Sequence, residues 1–238
     1  MGTLNITEIK KTEAQQLGND YNITLKRDGC LIYYKNKKLV SPRCDRSERY
    51  KHILKILNEA EFPNCIGEMY LDEPNSNVFD CSRSENWDKL KFMPFDLLDN
   101  NLNLDDRQEL LLSLVVKLDN DFITEMINFN SFDEGLNYCL NNNSEGLIFR
   151  NDFRWVKYKL LKEEKIEIVA HEIGKDKGTF ILKNGSKVSG TSIQYVEQYL
   201  DIKSRGNKAE AEIEYPFKTK EGKLFQPRLR LIREIENE

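Results

Sequence analysis

Apolar and polar residues alternate from Tyr21 to Tyr34, with Ile23, Leu25, Leu31 and Tyr33 apolar. This period of two predicts a hairpin that turns at Asp28-Gly29. A second short strand ends near Val40. From Ser47 to Ala60 the period lengthens. Tyr50, Ile53, Leu54 and Leu57 share one helical face, and Pro63 stops the segment. Strands are predicted at 65–71 and 91–98. Leu104-Asp105-Asp106 opens a helix on which Leu110, Leu111, Leu114 and Val115 recur at helical spacing. Ser131 followed by Glu134 is the signature of a helix N-terminus over 131–140. Strands at 145–150 and 155–160 complete this part.

Leu161-Lys162-Glu163-Glu164 marks a break, and the spacing predicts a boundary between 1–162 and 163–238. Beyond it Ile166–Ile173, Thr179–Lys183, Lys187–Ser189 and Ala209–Tyr215 read as strands, with Asn184-Gly185 as a turn and Gln194–Leu200 as a short helix. A last strand runs over Leu224–Arg233, interrupted by Pro227. Five strands with one inserted helix predict an OB-fold β-barrel, an architecture that binds nucleic acid on an open face. The whole chain is therefore expected to be α+β.

Composition narrows the classes. The 238 residues are 39% hydrophobic and 32% charged, as in a globular protein. No apolar run approaches the ~20 residues that span a bilayer, so no membrane partner is expected. Met1–Asn5 lack a basic segment followed by an apolar one, and no secretory signal is predicted. Gly2 does not fit an acylation pattern, because Ile6 stands where serine or threonine is required and Thr7 falls one place late. Five cysteines, with no CxxC pair, argue against zinc or a disulfide framework and for reduced thiols in a cytoplasm. The net charge is −4; from Glu163 onward there are 14 basic and 14 acidic residues, leaving 22 against 26 before it. A nucleic-acid partner would therefore need a local basic face.

Candidate chemistry begins at Lys26-Arg27-Asp28-Gly29. A lysine attacks phosphate only when neutral, so a nucleophilic role requires its pKa to fall through neighbouring cations or a metal ion. Alone, the tetrapeptide reads more readily as a solvated lysine before a turn. It is followed in order by Gly67-Glu68-Met69, Phe92-Met93-Pro94-Phe95-Asp96-Leu97-Leu98, Ser144-Glu145-Gly146-Leu147-Ile148 and Trp155-Val156-Lys157-Tyr158-Lys159. Lys157 and Lys159 share one face of a strand by their spacing of two.

The order and spacing of these five segments resemble the covalent nucleotidyltransferases, and most of all the small ATP-dependent DNA ligases of viruses, phages and bacteria. The resemblance covers nearly the whole chain. It implies an adenylation (nucleotidyltransferase) domain over 1–162 and an OB-fold domain over 163–238. It implies that Lys26 is adenylylated by ATP, with Asp28 and Gly29 completing its motif and Thr24 near the adenine. By the same resemblance Glu68 binds the ribose, Phe95 stacks on the adenine, and Glu145 lies at a divalent metal, Mg²⁺ or Mn²⁺. Lys157 and Lys159 reach the α-phosphate and depress the pKa of Lys26. Arg43, with Arg46 second, touches the 5′-phosphate of nicked duplex DNA. The tail from Lys220 to Glu234 resembles the C-terminal ligase motif. Phe225 stands where an arginine is usual, leaving Arg228, Arg230 or Arg233 to supply the charge; Arg233 is taken here. Leu31 stands where a ribose-contacting arginine is common.

The resemblance implies a monomer that seals nicks in DNA repair or replication in three steps: lysyl-AMP, adenylylated DNA, and phosphodiester with release of AMP. Residues 161–164 would be the hinge between the first and later steps. An RNA ligase, a capping guanylyltransferase and a non-catalytic nucleic-acid-binding relative are the alternatives.

Overall fold

The structure is a computed structural model that describes residues 6–17, 20–73, 76–98, 101–219 and 221–235. The expectations for Met1–Asn5, and Lys220 of the tail segment, lie outside these residues. Two compact units divide the chain, Met1–Lys159 and Leu160–Glu238.

In the first unit the alternating segment 21–34 becomes two strands that do not form the expected hairpin. Strand β2 (Asn22–Lys26) and strand β3 (Cys30–Lys35) belong to different sheets. The chain leaves one sheet at Lys26 and enters the other at Cys30. Gly29 makes this crossing possible: a Cβ there would overlap the carbonyl oxygen of Met69. Alternation alone does not reveal which partner a strand takes, which is why the sequence suggested a hairpin.

One sheet has the order β1-β9-β8-β2-β7, from β1 (Thr7–Ile9), β9 (Trp155–Lys159), β8 (Gly146–Arg150), β2 and β7 (Asn128–Phe129). Its pairs are antiparallel except β1 with β9. The other sheet, β4-β3-β5-β6, adds β4 (Lys38–Val40), β5 (Cys65–Tyr70) and β6 (Lys91–Leu97), all antiparallel. Pro94 is tolerated because β6 is an edge strand.

Each sheet is backed by helices. Behind β2 and β8 lies α4 (Phe132–Asn142). Its N-terminus forms as its sequence predicts: the Glu134 amide donates to Ser131 Oγ at 3.2 Å, and the Glu134 carboxylate accepts from the Asn130 amide at 2.8 Å. Helices α2 (Lys51–Glu59) and α3 (Leu104–Leu118) send Ile53, Leu57, Leu111 and Val115 into the core of the second sheet, with Ile32, Tyr34, Met69 and Phe92. Burial of each such aliphatic side chain contributes about 1.5–3 kcal/mol. Helix α2 starts at Lys51 rather than Ser47, because 47–50 form turns. A six-residue helix, α1 (Lys11–Gln16), follows β1.

The second unit is one antiparallel sheet, β12-β11-β10-β13-β14. Its strands are β10 (Lys162–Ile173), β11 (Gly178–Leu182), β12 (Lys187–Thr191), β13 (Lys208–Tyr215) and β14 (Arg228–Ile235). Helix α5 (Ile193–Ser204), longer than expected, buries Val196, Tyr199 and Ile202 against it. Among the described residues no ladder joins β12 to β14, so the hydrogen bonding describes an open five-stranded sheet and does not close the expected OB-fold barrel. The last strand begins at Arg228, not Leu224. Pro227 has no amide to donate and Gln226 is left-handed (φ 45°), so the ladder cannot extend back through them.

The crossing at Gly29 generates a prediction. Gly29→Ala should lose about 1–3 kcal/mol of stability, because the added methyl group must displace backbone of β5. Urea unfolding of both proteins measures this; an unchanged midpoint would show that the crossing is not tightly packed.

Candidate active site

The two sheets of the first unit enclose a cavity of about 300 Å³ beside the crossing. That is the lower end of the range for small-molecule sites. Its walls follow from strand alternation. Thr24 and Lys26 of β2, Ile148 and Arg150 of β8, and Trp155 and Lys157 of β9 line it from one sheet. The intervening Leu25 is buried but also borders it, while Leu147, Phe149 and Val156 are fully buried. From the other sheet come Leu31, Glu68, Met93 and Phe95.

Lys26 ends β2 with its ammonium hydrogen-bonded to Glu145 Oε2, while Lys159 Nζ lies 2.9 Å from Glu145 Oε1. Glu145 precedes Gly146, whose φ of +151° and contact with the Tyr158 carbonyl exclude any side chain. The register of β8 against its neighbours, Gly146 opposite both Lys26 and Lys159, delivers the carboxylate between the two lysines. Lys157 and Lys159 do share a face, opposite to buried Val156 and Tyr158.

Electrostatically the site differs from expectation. Lys26 is held above its ordinary pKa. Burial pushes it down, but the attraction and hydrogen bond of Glu145, with Glu68 and Asp28 beyond, outweigh burial. The expected depression by Lys157 and Lys159 is therefore not found: Lys159 is occupied with Glu145, which in turn holds Lys26 protonated. Burial raises Asp28 to about 6, helped by Glu145 and opposed by Lys26, Lys159 and the Val78 amide. Glu68 is raised to about 8, chiefly by burial and against the pull of Lys26.

Thr24, Lys26, Asp28, Gly29, Glu68, Phe95, Glu145, Lys157 and Lys159 are thus brought together. Phe95 is not a core aromatic: it lines the cavity 5.8 Å from the Trp155 ring, whereas Phe92 is fully buried. Leu31 is also in the wall. Arg43 is exposed in the loop after β4, and Arg46 lines a separate surface depression with Lys37, Lys38, Arg49 and Trp87. Arg233 lies in the second unit, paired with Glu212 at 2.9 Å. There too Phe225 stacks on Phe217, with ring centroids 4.5 Å apart.

Sequence reasoning missed Arg150. It is 1% exposed, lies 5.1 Å from the Trp155 ring centroid, and donates to the carbonyl of Phe95. Its Nε has no hydrogen-bond partner, and burial brings its pKa down to about 10 despite Asp96. The available signal was its position two residues after Ile148, on the face that carries Glu145's neighbours, but a strand-end arginine reads equally as solvated.

No group of three or more His, Cys, Asp or Glu side chains that could hold a metal ion occurs among the described residues. Glu145 is one hard carboxylate, held between Lys26 and Lys159 beside the cavity. That suits Mg²⁺, which keeps several waters and is bound through one or two carboxylates and substrate phosphates.

Two sheets enclosing a lysine-bearing, nucleotide-sized pocket, followed by an antiparallel second unit, define a class of fold found in solved structures. A Lig E DNA ligase superposes with a TM-score of 0.71 at 16% identity, covering 97% of this chain and all of that one. A chain named Pmar-Lig gives 0.68 at 18% identity, over 96% of this chain and 66% of that one. Mycobacterial DNA ligase D, solved with ATP, gives 0.53 at 18% identity, over 96% and 93%. The chain therefore has the fold of ATP-dependent DNA ligases of the minimal kind. No protein-family model matches it, and no curated protein matches it in sequence.

The raised carboxylates set a pH dependence. A group whose folded pKa exceeds its unfolded value stabilises the fold at low pH, and that contribution is lost as pH rises through the folded value. Stability should fall from about pH 4 to about pH 8, with Asp28 contributing up to about 6 and Glu68 up to about 8. Glu68→Gln should flatten this slope and exceed wild type at pH 8.5 by more than about 1 kcal/mol. Urea unfolding at pH 5 and 8.5 measures it; equal slopes would contradict the assignment.

Proposed function

We propose that this protein is an ATP-dependent DNA ligase that seals nicks in duplex DNA through a lysyl-AMP intermediate. The observation that carries the reading is the convergence of Lys26, Glu68 and Lys157 on one nucleotide-sized pocket, with Glu145 and Lys159 ion-paired behind Lys26. A purine between Phe95 and the aliphatic wall of Ile148, with the ribose at Glu68, would bring the α-phosphate to Lys26 and Lys157.

Lys26 must shed a proton before it attacks. Glu145 Oε2, hydrogen-bonded to Nζ, is the atom positioned to take it. The amine then attacks the α-phosphorus, the bond to pyrophosphate breaks, and a phosphoramidate remains. Lys157 and Lys159 offset the negative charge that grows on the phosphate. Mg²⁺, with Glu145 its hard donor, would supply further charge neutralisation. The AMP next passes to the 5′-phosphate of a nick, and the 3′-hydroxyl displaces it. Each step is a transfer at phosphorus, so positioning and charge do most of the catalysis. Arg150 acts as a positioning residue, holding the Phe95 backbone and the Trp155 ring.

DNA as partner is supported by a basic stretch that the net charge conceals. Residues 35–51 hold seven Lys and Arg against two acidic residues. Lys35, Lys37, Lys38, Arg43 and Lys51 are exposed. This is the local basic face that an acidic chain needs to bind phosphates, and Arg43 is its candidate for the 5′-phosphate. One chain contains every residue named around the pocket, which supports action as a monomer. No helix among the described residues is long and apolar enough to cross a membrane.

Incubation with α-labelled ATP and Mg²⁺ should label the wild type covalently and leave Lys26→Ala and Lys26→Arg unlabelled. Label on either variant, or none on wild type, overturns the reading. Sealing of a nicked DNA duplex, but not of the matching RNA duplex, should follow; the reverse preference would assign the site to RNA ligation. Affinity for nicked DNA should fall at least ten-fold between 50 and 200 mM salt, as phosphate contacts release counterions. Salt-independent binding would exclude the basic stretch as the DNA face.

A further inference from the structure

The alternation that turns Thr24, Met93 and Phe95 into the nucleotide-sized cavity turns Ile23 and Pro94 the other way. These two help to line a second depression, a groove of about 480 Å³ between α3 and β7. Leu111 and Val115 of α3, with Met126 and Phe129, give it an apolar wall. No step proposed for ligation uses it.

Charge in the groove is of one sign. Glu109 and Glu125 line it, both exposed, and no lysine, arginine or histidine does. Among the described residues neither carboxylate has an ion-pair partner. A third, Asp105, lies beside the groove, where it accepts a 2.9 Å hydrogen bond from Asn22 Nδ2. Gln108 adds a donor without an acceptor: its Nε2 is buried and has no hydrogen-bond partner. An amide hydrogen so placed is costly, and a carbonyl from outside the chain would offset that cost.

Two further features extend the groove beyond a small cavity. Strand β7 is the edge of its sheet, so its backbone is paired on one side only among the described residues. On α3 the apolar surface continues outward. Leu112 lines the groove yet is 42% exposed, and Val116, one turn further on, is 56% exposed.

We propose that this groove docks an extended segment of a partner protein in which lysine or arginine alternates with aliphatic residues. The proposal is independent of the ligase reading. In an extended segment successive side chains point to opposite sides. One set would meet Leu111, Val115 and Phe129, and the other would reach Glu109 and Glu125. The segment's carbonyl groups supply the acceptor that Gln108 lacks, and its backbone can run along the open side of β7. Nucleic acid does not fit, because its phosphates would face the carboxylates. A small cation would satisfy the carboxylates but neither the Gln108 amide nor the Leu112–Val116 stripe.

The probe is a fluorescein-labelled octapeptide of alternating lysine and leucine, and its anisotropy with the full chain reads binding. The salt is about 150 mM, at which exposed charges are screened beyond ~8 Å. The wild type should bind this peptide and not its glutamate–leucine counterpart. Glu109→Lys with Glu125→Lys should weaken binding at least ten-fold. Glu85→Lys with Glu197→Lys makes the same change of net charge at exposed positions that do not line the groove, and should alter affinity less than two-fold. Leu112→Ser, which leaves charge unchanged, should weaken binding at least three-fold. Spermidine at equal charge should not displace the peptide. In the unaltered protein, a benzophenone at the centre of the peptide should cross-link within residues 108–130. Absence of binding, equal losses in the two charge variants, an unaffected Leu112→Ser or a cross-link elsewhere overturns the proposal. Displacement by spermidine overturns it too, and assigns the groove to small cations.

Discussion

The first unit depends on a change of sheet within three residues. Arg27, Asp28 and Gly29 carry the chain from the end of β2 to the start of β3. Two sheets joined so tightly must face each other there, and the gap between them is the cavity. Glycine permits it, because any Cβ at position 29 would occupy the space of the Met69 carbonyl. The same geometry explains why Lys26 is at the cavity edge. It is the last residue of β2, with its amine free of the core and aimed between the sheets.

Charge within that gap is balanced rather than free. Glu145 is shared by Lys26 and Lys159, and the pairing offsets the cost of burying all three. Asp28 and Glu68 have weaker compensation, so burial drives both toward their protonated forms. Burial, more than pairing, therefore governs these two carboxylates. The pairing of Lys26 with Glu145 reverses the expectation that the neighbouring lysines depress Lys26. Of the two lysines on β9, Lys157 faces the pocket and Lys159 pairs with Glu145, and that carboxylate reaches Lys26 first.

Much of this was legible in the sequence wherever chemistry coincided with strand periodicity. The spacing of Lys157 and Lys159 specified one face, and Ser131 with Glu134 specified a helix start. Strand partnership was not legible. The residues 21–34 alternate as a hairpin would, and only the long-range packing of Gly29 on β5 decides otherwise. Arg150 was hidden for a related reason: its burial depends on Trp155 and Phe95, which come from two other strands. The closing ladder of a barrel is likewise a long-range property, and the strand pattern after Glu163 could not determine it.

The same alternation explains how the fold persists at 16–18% identity with the solved structures it superposes on. In β2, β8 and β9 every second residue faces α4 or the interior and needs only apolar character and suitable volume, a requirement many residues meet. Residues on the cavity face have no such freedom if they must place a charge or a ring between two sheets. Sequence drift can therefore erase overall similarity while leaving short segments of one or two matching residues per strand. That is how the five segments occur here, and why they carry meaning only in the order that the two facing sheets impose.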